Sequence, residues 1–156
     1  MVWVDVLLGF GSNLGERREF IERGWLAVCE LSGVSAVCIS SLIETKAVGG
    51  EANQPDFLNG AGLIRTTLQP EILLDKLQEI EINLGRIRTT RWNARTLDID
   101  ILLFGNSIIN TPRLNIPHPL MFERNFVLIP AIEIASEMIK TFANSHGIIF
   151  STSGKF

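Results

Sequence analysis

A chain of 156 residues, 46% of them hydrophobic and 20% charged, has the composition of one folded domain with a sizeable core. Its net charge of −3 at pH 7 argues against a nucleic-acid binder, and no uninterrupted apolar run approaches the roughly 20 residues that a membrane span takes. Cys29 and Cys38 stand in apolar surroundings without metal-ligand spacing and read as reduced thiols. The amino-terminal run contains Asp5 and no basic leader, so it does not read as a signal peptide, and a cytoplasmic protein is expected.

Residues 2–10 are mostly apolar and β-rich, which predicts a central strand. They run into G-F-G-S-N-L-G, residues 9–15. Such a glycine-rich corner cradles phosphate in some proteins and merely turns the chain in others. Here the third glycine comes one residue late for G-x-G-x-x-G, and no Lys-Ser/Thr follows for a P-loop, so the glycines are read as serving geometry. Leu14, Phe20, Ile21, Trp25, Val28 and Leu31 then fall near helical spacing, with Glu16, Arg18 and Glu22 outward and Ser32-Gly33 as the stop. Residues 34–45 read as a second strand, 46–56 as a loop with two glycines and Pro55, and 57–67 as a third strand. Pro70 suits the first turn of a helix that turns Ile72, Leu73, Leu77 and Ile80 inward and stops at Gly85.

Residues 85–96 lack core periodicity, and 97–104 form a strongly apolar strand that carries two aspartates. Gly105-Asn106 followed by Ile108-Ile109 reads as a hairpin, 112–119 as irregular, and a final helix is expected over about 125–137. The order β-α-β-β-α-β predicts a single-domain α+β protein of ferredoxin-like sandwich type. Helices would pack on a mainly antiparallel sheet, with a hairpin and a helix trailing at the carboxyl end.

The sharpest chemical signal is R-T-L-D-I-D-I-L-L-F. On a strand, Asp98 and Asp100 project to one side while Leu97, Ile99 and Ile101 pack on the other. Neighbouring carboxylates repel unless a cation or proton intervenes, and Mg²⁺ takes one or two carboxylates plus water and phosphate oxygens. An isolated Asp-x-Asp reads first as an edge that shows its acids to solvent. Its context reverses that reading. Ten of the fourteen cations are arginine, and Arg86, Arg88, Arg91 and Arg95 cluster just upstream around Trp92. Arginine forks suit phosphate oxygens, and an indole face can stack on a flat ring. Metal ligands beside phosphate-pairing forks are what a magnesium polyphosphate asks for. Downstream, Arg113, His118 and Arg124 lie in an irregular segment, with His118 held between Pro117 and Pro119, and a phosphate contact is expected there. Asn59 carries an amide suited to a heterocycle edge, and Phe57, two residues earlier on the same strand face, is placed to stack on the ring.

Taken together, G-S-N-L-G, Q-P-D-F-L-N-G-A, I-E-I-N-L-G-R-I-R, R-W-N-A-R-T-L-D-I-D-I-L-L-F-G and I-P-H-P-L-M-F-E-R-N-F-V-L stand in the order that resembles the 6-hydroxymethyl-7,8-dihydropterin pyrophosphokinase family of folate biosynthesis. The resemblance implies transfer of a pyrophosphoryl unit from ATP, as co-substrate, to the hydroxymethyl group of a dihydropterin, with release of AMP. It implies that Asp98 and Asp100 hold two Mg²⁺ ions, and that Arg86 and Arg95 are loop arginines that close on the triphosphate. By the same resemblance Arg88, Trp92, Arg113 and His118 line the ATP side, and Glu81 accompanies the nucleotide or shapes its pocket. Thr45, Val48, Phe57 and Asn59 would form the pterin pocket, with Phe126 completing a sandwich around the ring and Arg124 alongside. The implied partners are these two small molecules, without nucleic acid or membrane, acting on a monomer or on a chain fused to or associated with other folate enzymes. Two further readings use the same residues: a two-metal nucleotidyl transferase or cyclase, and a binding module on the same fold.

Overall fold

The computed structural model describes residues 2–46, 56–85 and 96–151. In chain order these form β1 (Val4–Ser12), α1 (Arg17–Cys29), β2 (Val34–Ile39), β3 (Ile43–Thr45), β4 (Phe57–Thr66), α2 (Pro70–Asn83), β5 (Asp98–Phe104), β6 (Ile109–Asn110), β7 (Asn115–Ile116) and α3 (Asn125–His146). The main sheet is ordered β2-β4-β1-β5, with β3 also on β4, and every pairing is antiparallel. A strand inserted between the two that α1 connects, and α2 leading to an edge strand beyond β1, is the ferredoxin-like arrangement. The expected fold class is the observed one.

Alternation along the strands divides the core into two layers. Val6, Leu8 and Phe10 of β1, Ile64 of β4, and Ile99 and Ile101 of β5 pack with Ile21 and Val28 of α1 and Leu73, Leu77 and Ile80 of α2. On the opposite face Leu7, Ala61, Leu102 and Leu103 meet Leu128, Ala131, Ile139 and Phe142 of α3. A β-bulge makes this possible. Leu7 pairs with Leu103 but Leu8 pairs with Ile101, so Leu102 is an extra residue and both consecutive leucines turn towards α3. On the first face Trp25 lies edge-on to Phe10, with ring centroids 6.1 Å apart. Gly62 leaves the room they occupy, since a β-carbon there would lie 2.6 Å from Trp25 Cζ3 and 3.0 Å from Phe10 Cε2. Gly15, with φ 73°, adopts the left-handed conformation that turns β1 into α1.

Three segments differ from expectation. Residues 34–45 do not form one strand. Ser40 is buried, its N–H donates to Ala61 O at 2.8 Å, and its Oγ accepts the Ala61 N–H at 2.8 Å. The Ser41 N–H then leaves the sheet to donate to Glu133 Oε2 of α3 at 2.6 Å. Hydrogen bonding from the Ser41 side chain first, and from its N–H second, holds the Glu133 carboxyl below its ordinary range, so the link is complete at neutral pH and fades as pH falls through that lowered value. The strand therefore breaks at a serine corner and resumes as β3.

The hairpin also lies later than expected. Gly105 donates back to Asp5 O at 2.7 Å, tying the end of β5 to β1, and the reversal that pairs β6 with β7 comes where the Thr111 N–H donates to Leu114 O at 2.9 Å. β7 thus occupies part of the stretch expected to be irregular. Finally, α3 continues to His146, because Ile139, Phe142 and Ala143 extend its buried stripe beyond residue 137. Pro130 lies inside it, and Ala135 is non-helical at φ −143° and ψ 35°. Gly147 ends it in the left-handed conformation, and Phe150 returns to 5.3 Å from Phe122.

Cys29 and Cys38 are free thiols, both part-buried. Among the described residues no helix is long and apolar enough to cross a membrane. Because the methyl of Gly62→Ala would meet an aromatic ring and not a flexible chain end, this substitution is expected to cost about 1–3 kcal/mol by overpacking. Urea unfolding should show a lower midpoint at an unchanged slope.

Candidate active site

The site begins with an asymmetry in β1. On the core face Val6, Leu8 and Phe10 are large, whereas on the opposite face Leu7 is followed by Gly9 and Gly11. In the ladder Gly9 lies between Ala61 and Asp100, and Gly11 between Asn59 and Asp98. Two side chains are thus missing from the middle of the sheet where α3 no longer covers it. A β-carbon on Gly11 would stand 3.2 Å from Asn59 Oδ1, and one on Gly9 would stand 3.3 Å from Leu102. The glycines pave the floor of a cavity of about 480 Å³. Its walls include Thr45, Lys46, Phe57, Asn59, Arg124 and Phe126, with Asp98, Asp100 and His118 on one side.

A second cavity, of about 350 Å³, lies across the outer edge of β5. Gln78 and Glu81 of α2, Arg113, Asn115, His118 and Pro119 line it, again with Asp98 and Asp100. The acid pair and His118 therefore form the wall common to both cavities. Asp98 is half-buried and Asp100 exposed, while Ile99 between them is buried in the core, as strand alternation requires.

Several contacts set this wall. β5 is an edge strand, and edge amides need a partner. The buried Glu81 carboxylate accepts the Ile99 N–H at 2.7 Å, which fixes the backbone between the two aspartates. The His118 N–H donates to Leu102 O at 3.0 Å, joining the 117–124 segment to β5. His118 Nδ1 accepts the Leu120 N–H at 3.4 Å, which leaves Nε2 facing Asp100 Oδ2 at 3.9 Å. Burial first and the Arg124 charge second push the His118 pKa below its ordinary 6.5. The ring is neutral at pH 7, so its approach to Asp100 is no ion pair there. In the first cavity Asn59 Nδ2 donates to Thr45 Oγ1 at 3.1 Å, which orients the amide. The Arg124 guanidinium lies 5.6 Å from the Phe126 ring centroid, a cation–π distance. Arg113 donates to Asp75 and, at 3.4 Å, to Gln78 Oε1, so it is held against α2 beside the second cavity.

Such a wall suits a hard cation. Among the described residues no group of three or more His, Cys, Asp or Glu side chains gathers for a metal. Two carboxylate oxygen donors open to cavities on both sides fit an ion that keeps water and takes its other ligands from phosphate oxygens, which is the habit of Mg²⁺.

A model of the family described as 7,8-dihydro-6-hydroxymethylpterin-pyrophosphokinase (HPPK) matches residues 7–136. The chain belongs to this family. It is 43% identical over 136 residues to the 2-amino-4-hydroxy-6-hydroxymethyldihydropteridine pyrophosphokinase of Haemophilus influenzae, covering 87% of this chain and 84% of that one. To the protein of the same name from Pseudomonas aeruginosa it is 44% identical over 133 residues, covering 85% and 82%. Among solved structures, wild-type Plasmodium falciparum HPPK-DHPS superposes with a TM-score of 0.65 at 14% identity, over 93% of this chain and 45% of that longer one. That likeness concerns the fold.

Within this HPPK-family chain, the residues expected on the two sides of the site fall into two cavities. Thr45, Phe57, Asn59, Arg124 and Phe126 line the first, and Glu81, Arg113 and His118 the second, although His118 also reaches the first. Arg86, Arg88, Trp92, Arg95 and Val48 lie outside the described residues. Gly9 and Gly11, expected to serve only the turn after the first strand, lie inside β1 and line the first cavity, as do Leu102 and Lys46, to which the sequence assigns no site role. The alternation of G-F-G within a strand held the signal for the two glycines. An NMR titration should place the His118 midpoint below 6.5, and Arg124→Ala should move it upward by removing the nearby cation. The stabilisation from the neutral ring is complete above 6.5 and is lost as pH falls through the lowered value.

Proposed function

We propose that this HPPK-family chain transfers the pyrophosphoryl group of ATP to 6-hydroxymethyl-7,8-dihydropterin, giving AMP and the pterin diphosphate in folate biosynthesis. The observation that carries the proposal is the acid pair common to two cavities, because the reaction must bring a heterocyclic alcohol and a polyphosphate together at one point. The alcohol oxygen attacks the β-phosphorus, the bond from that phosphorus to the α,β-bridging oxygen breaks, and the hydroxyl proton is released. Such chemistry rests on positioning and charge stabilisation and requires no covalent Ser or Cys.

The first cavity suits the pterin. Asn59, its amide turned by Thr45, reads the heterocycle edge, while Phe57 and Phe126 supply apolar faces, with Arg124 beside them. The second cavity suits ATP. Arg113, held on α2 by Asp75 and Gln78, offers a fork to phosphate, and neutral His118 offers a hydrogen bond without adding charge. Glu81 acts through the backbone: by accepting the Ile99 N–H it keeps both aspartates at the common wall. Asp98 and Asp100 would hold two magnesium ions, which would supply charge stabilisation to the phosphates. Arg86 and Arg95 close on the triphosphate, Arg88 and Trp92 join the ATP side, and Val48 joins the pterin pocket, as the family resemblance implies.

One domain acting as a monomer is proposed, as the family resemblance implies. The need for ATP favours the cytoplasm. Some relatives carry the matching region inside longer proteins. The Lactococcus lactis bifunctional protein FolKE is 38% identical over 133 residues, which cover 38% of its length.

Incubation with ATP, magnesium and the hydroxymethyl dihydropterin should yield AMP and a diphosphorylated pterin, whereas release of pyrophosphate would favour a nucleotidyl transferase. Asp98→Ala and Asp100→Ala are each expected to cut AMP formation by roughly 10²–10³-fold with an unchanged circular-dichroism spectrum. Near-normal turnover in either variant would refute the metal assignment. Arg95→Ala should lower kcat more than it weakens ATP binding, as measured by steady-state kinetics beside equilibrium titration.

A further inference from the structure

Arg17 is an oddly placed residue. It is the first residue of α1, where the helix dipole is positive and a cation is disfavoured. The preceding Glu16 makes no side-chain cap, so the local sequence gives Arg17 no reason to be there. Tertiary contacts supply one. Its Nη1 donates to Glu44 Oε1 of β3 at 3.1 Å and to the Asp56 carbonyl oxygen, directly before β4, at 2.8 Å. One nitrogen thus ties together two stretches of chain that flank the 47–55 segment. The Arg17 side chain is 28% exposed and that of Glu44 56%, so solvent screens the ion pair, while the bond to the Asp56 carbonyl oxygen is part-buried.

The tied residues adjoin the pterin cavity. Glu44 precedes Thr45, and Asp56 precedes Phe57, which is the residue paired with Thr45 in the β3–β4 ladder. Thr45 Oγ1 in turn accepts from Asn59 Nδ2 at 3.1 Å. β3 has only three residues and, among the described residues, pairs with β4 alone, so its own ladder holds it weakly.

We propose that Arg17 is a positioning residue for the heterocycle site. By clamping β3 to the start of β4 it fixes Thr45, and through Thr45 the Asn59 amide. This inference rests on the pyrophosphokinase reading, and the test separates the two. Wild-type enzyme that forms no AMP would defeat that reading, whereas an active wild type with the wrong variant behaviour defeats only the clamp. Arg17→Ala is expected to raise KM for the hydroxymethyl dihydropterin about five- to tenfold, with kcat and the KM for ATP within about twofold of wild type. Arg17→Lys, which retains charge and can donate to both oxygens from one nitrogen, should recover at least half of the loss on a logarithmic scale. Glu44→Ala removes one arm at an exposed strand position and should reproduce the same selective rise, which keeps the proposal testable if Arg17→Ala does not fold. An unchanged KM for the pterin, equal rises for both substrates, or a lower melting temperature as the sole effect would each overturn it.

Discussion

The central strand has to do two incompatible things, and its sequence resolves the conflict by alternation. β1 is flanked by β4 and β5, so its inner face must carry bulk to hold α1 and α2. Val6, Leu8 and Phe10 do so. Its other face must stay bare if a planar ligand is to approach the sheet between Asn59 and the aspartates. Gly9 and Gly11 keep it bare. Glycine weakens a strand by roughly 0.5–1 kcal/mol at each position relative to alanine. The two-sided ladder of β1 and the large Phe10 between the glycines offset that cost. Cavity, floor and wall all follow from this one choice.

The wall is an edge strand, and its position is over-determined. Among the described residues β5 pairs with β1 on one side, and three further contacts hold it: Glu81 on the Ile99 N–H, His118 on the Leu102 carbonyl, and the tie from Gly105 to Asp5. The bulge at Leu102 turns two successive leucines towards α3 while Asp98 and Asp100 remain on the cavity face. Carboxylates at a junction of this kind repel each other, so their directions need backbone anchoring rather than mutual attraction. Glu81 shows how a buried carboxyl group is used: it accepts the Ile99 N–H in place of solvent.

Much of this was legible in the sequence because it is governed by local periodicity. The D-I-D alternation placed two acids outward and one isoleucine inward, and F-L-N placed Phe57 and Asn59 on one face, both as observed. What was not legible depends on partners far along the chain. Nothing local in residues 34–45 announces that Ser41 will leave the sheet for Glu133, 92 residues away. The final helix runs past the expected residue 137 because the apolar stripe at Ile139, Phe142 and Ala143 matters only once the sheet face it covers is known. The hairpin was misplaced because Gly105 is tied to Asp5 across the sheet, not to its sequence neighbours. Glu81 and Arg17 share this character, since each owes its role to a backbone group brought near by the fold.

Charge at the common wall is arranged so that the two proposed substrates arrive at unlike sides. The described cations of the first cavity, Lys46 and Arg124, stand apart from the Arg113 fork on the outer side, with the two acids between them. His118 reaches both cavities but is neutral at pH 7, because burial and Arg124 each oppose its protonation. A charged imidazolium there would compete with a cation for Asp100. A neutral ring instead offers hydrogen bonding to whichever ligand is present and leaves the carboxylate available. The same low pKa therefore serves stability, by avoiding a buried charge, and in the proposed reaction serves metal binding. The sheet edge supplies the acids, the 117–124 segment supplies a ring that does not neutralise them, and each depends on the other's position through the bond from the His118 N–H to Leu102.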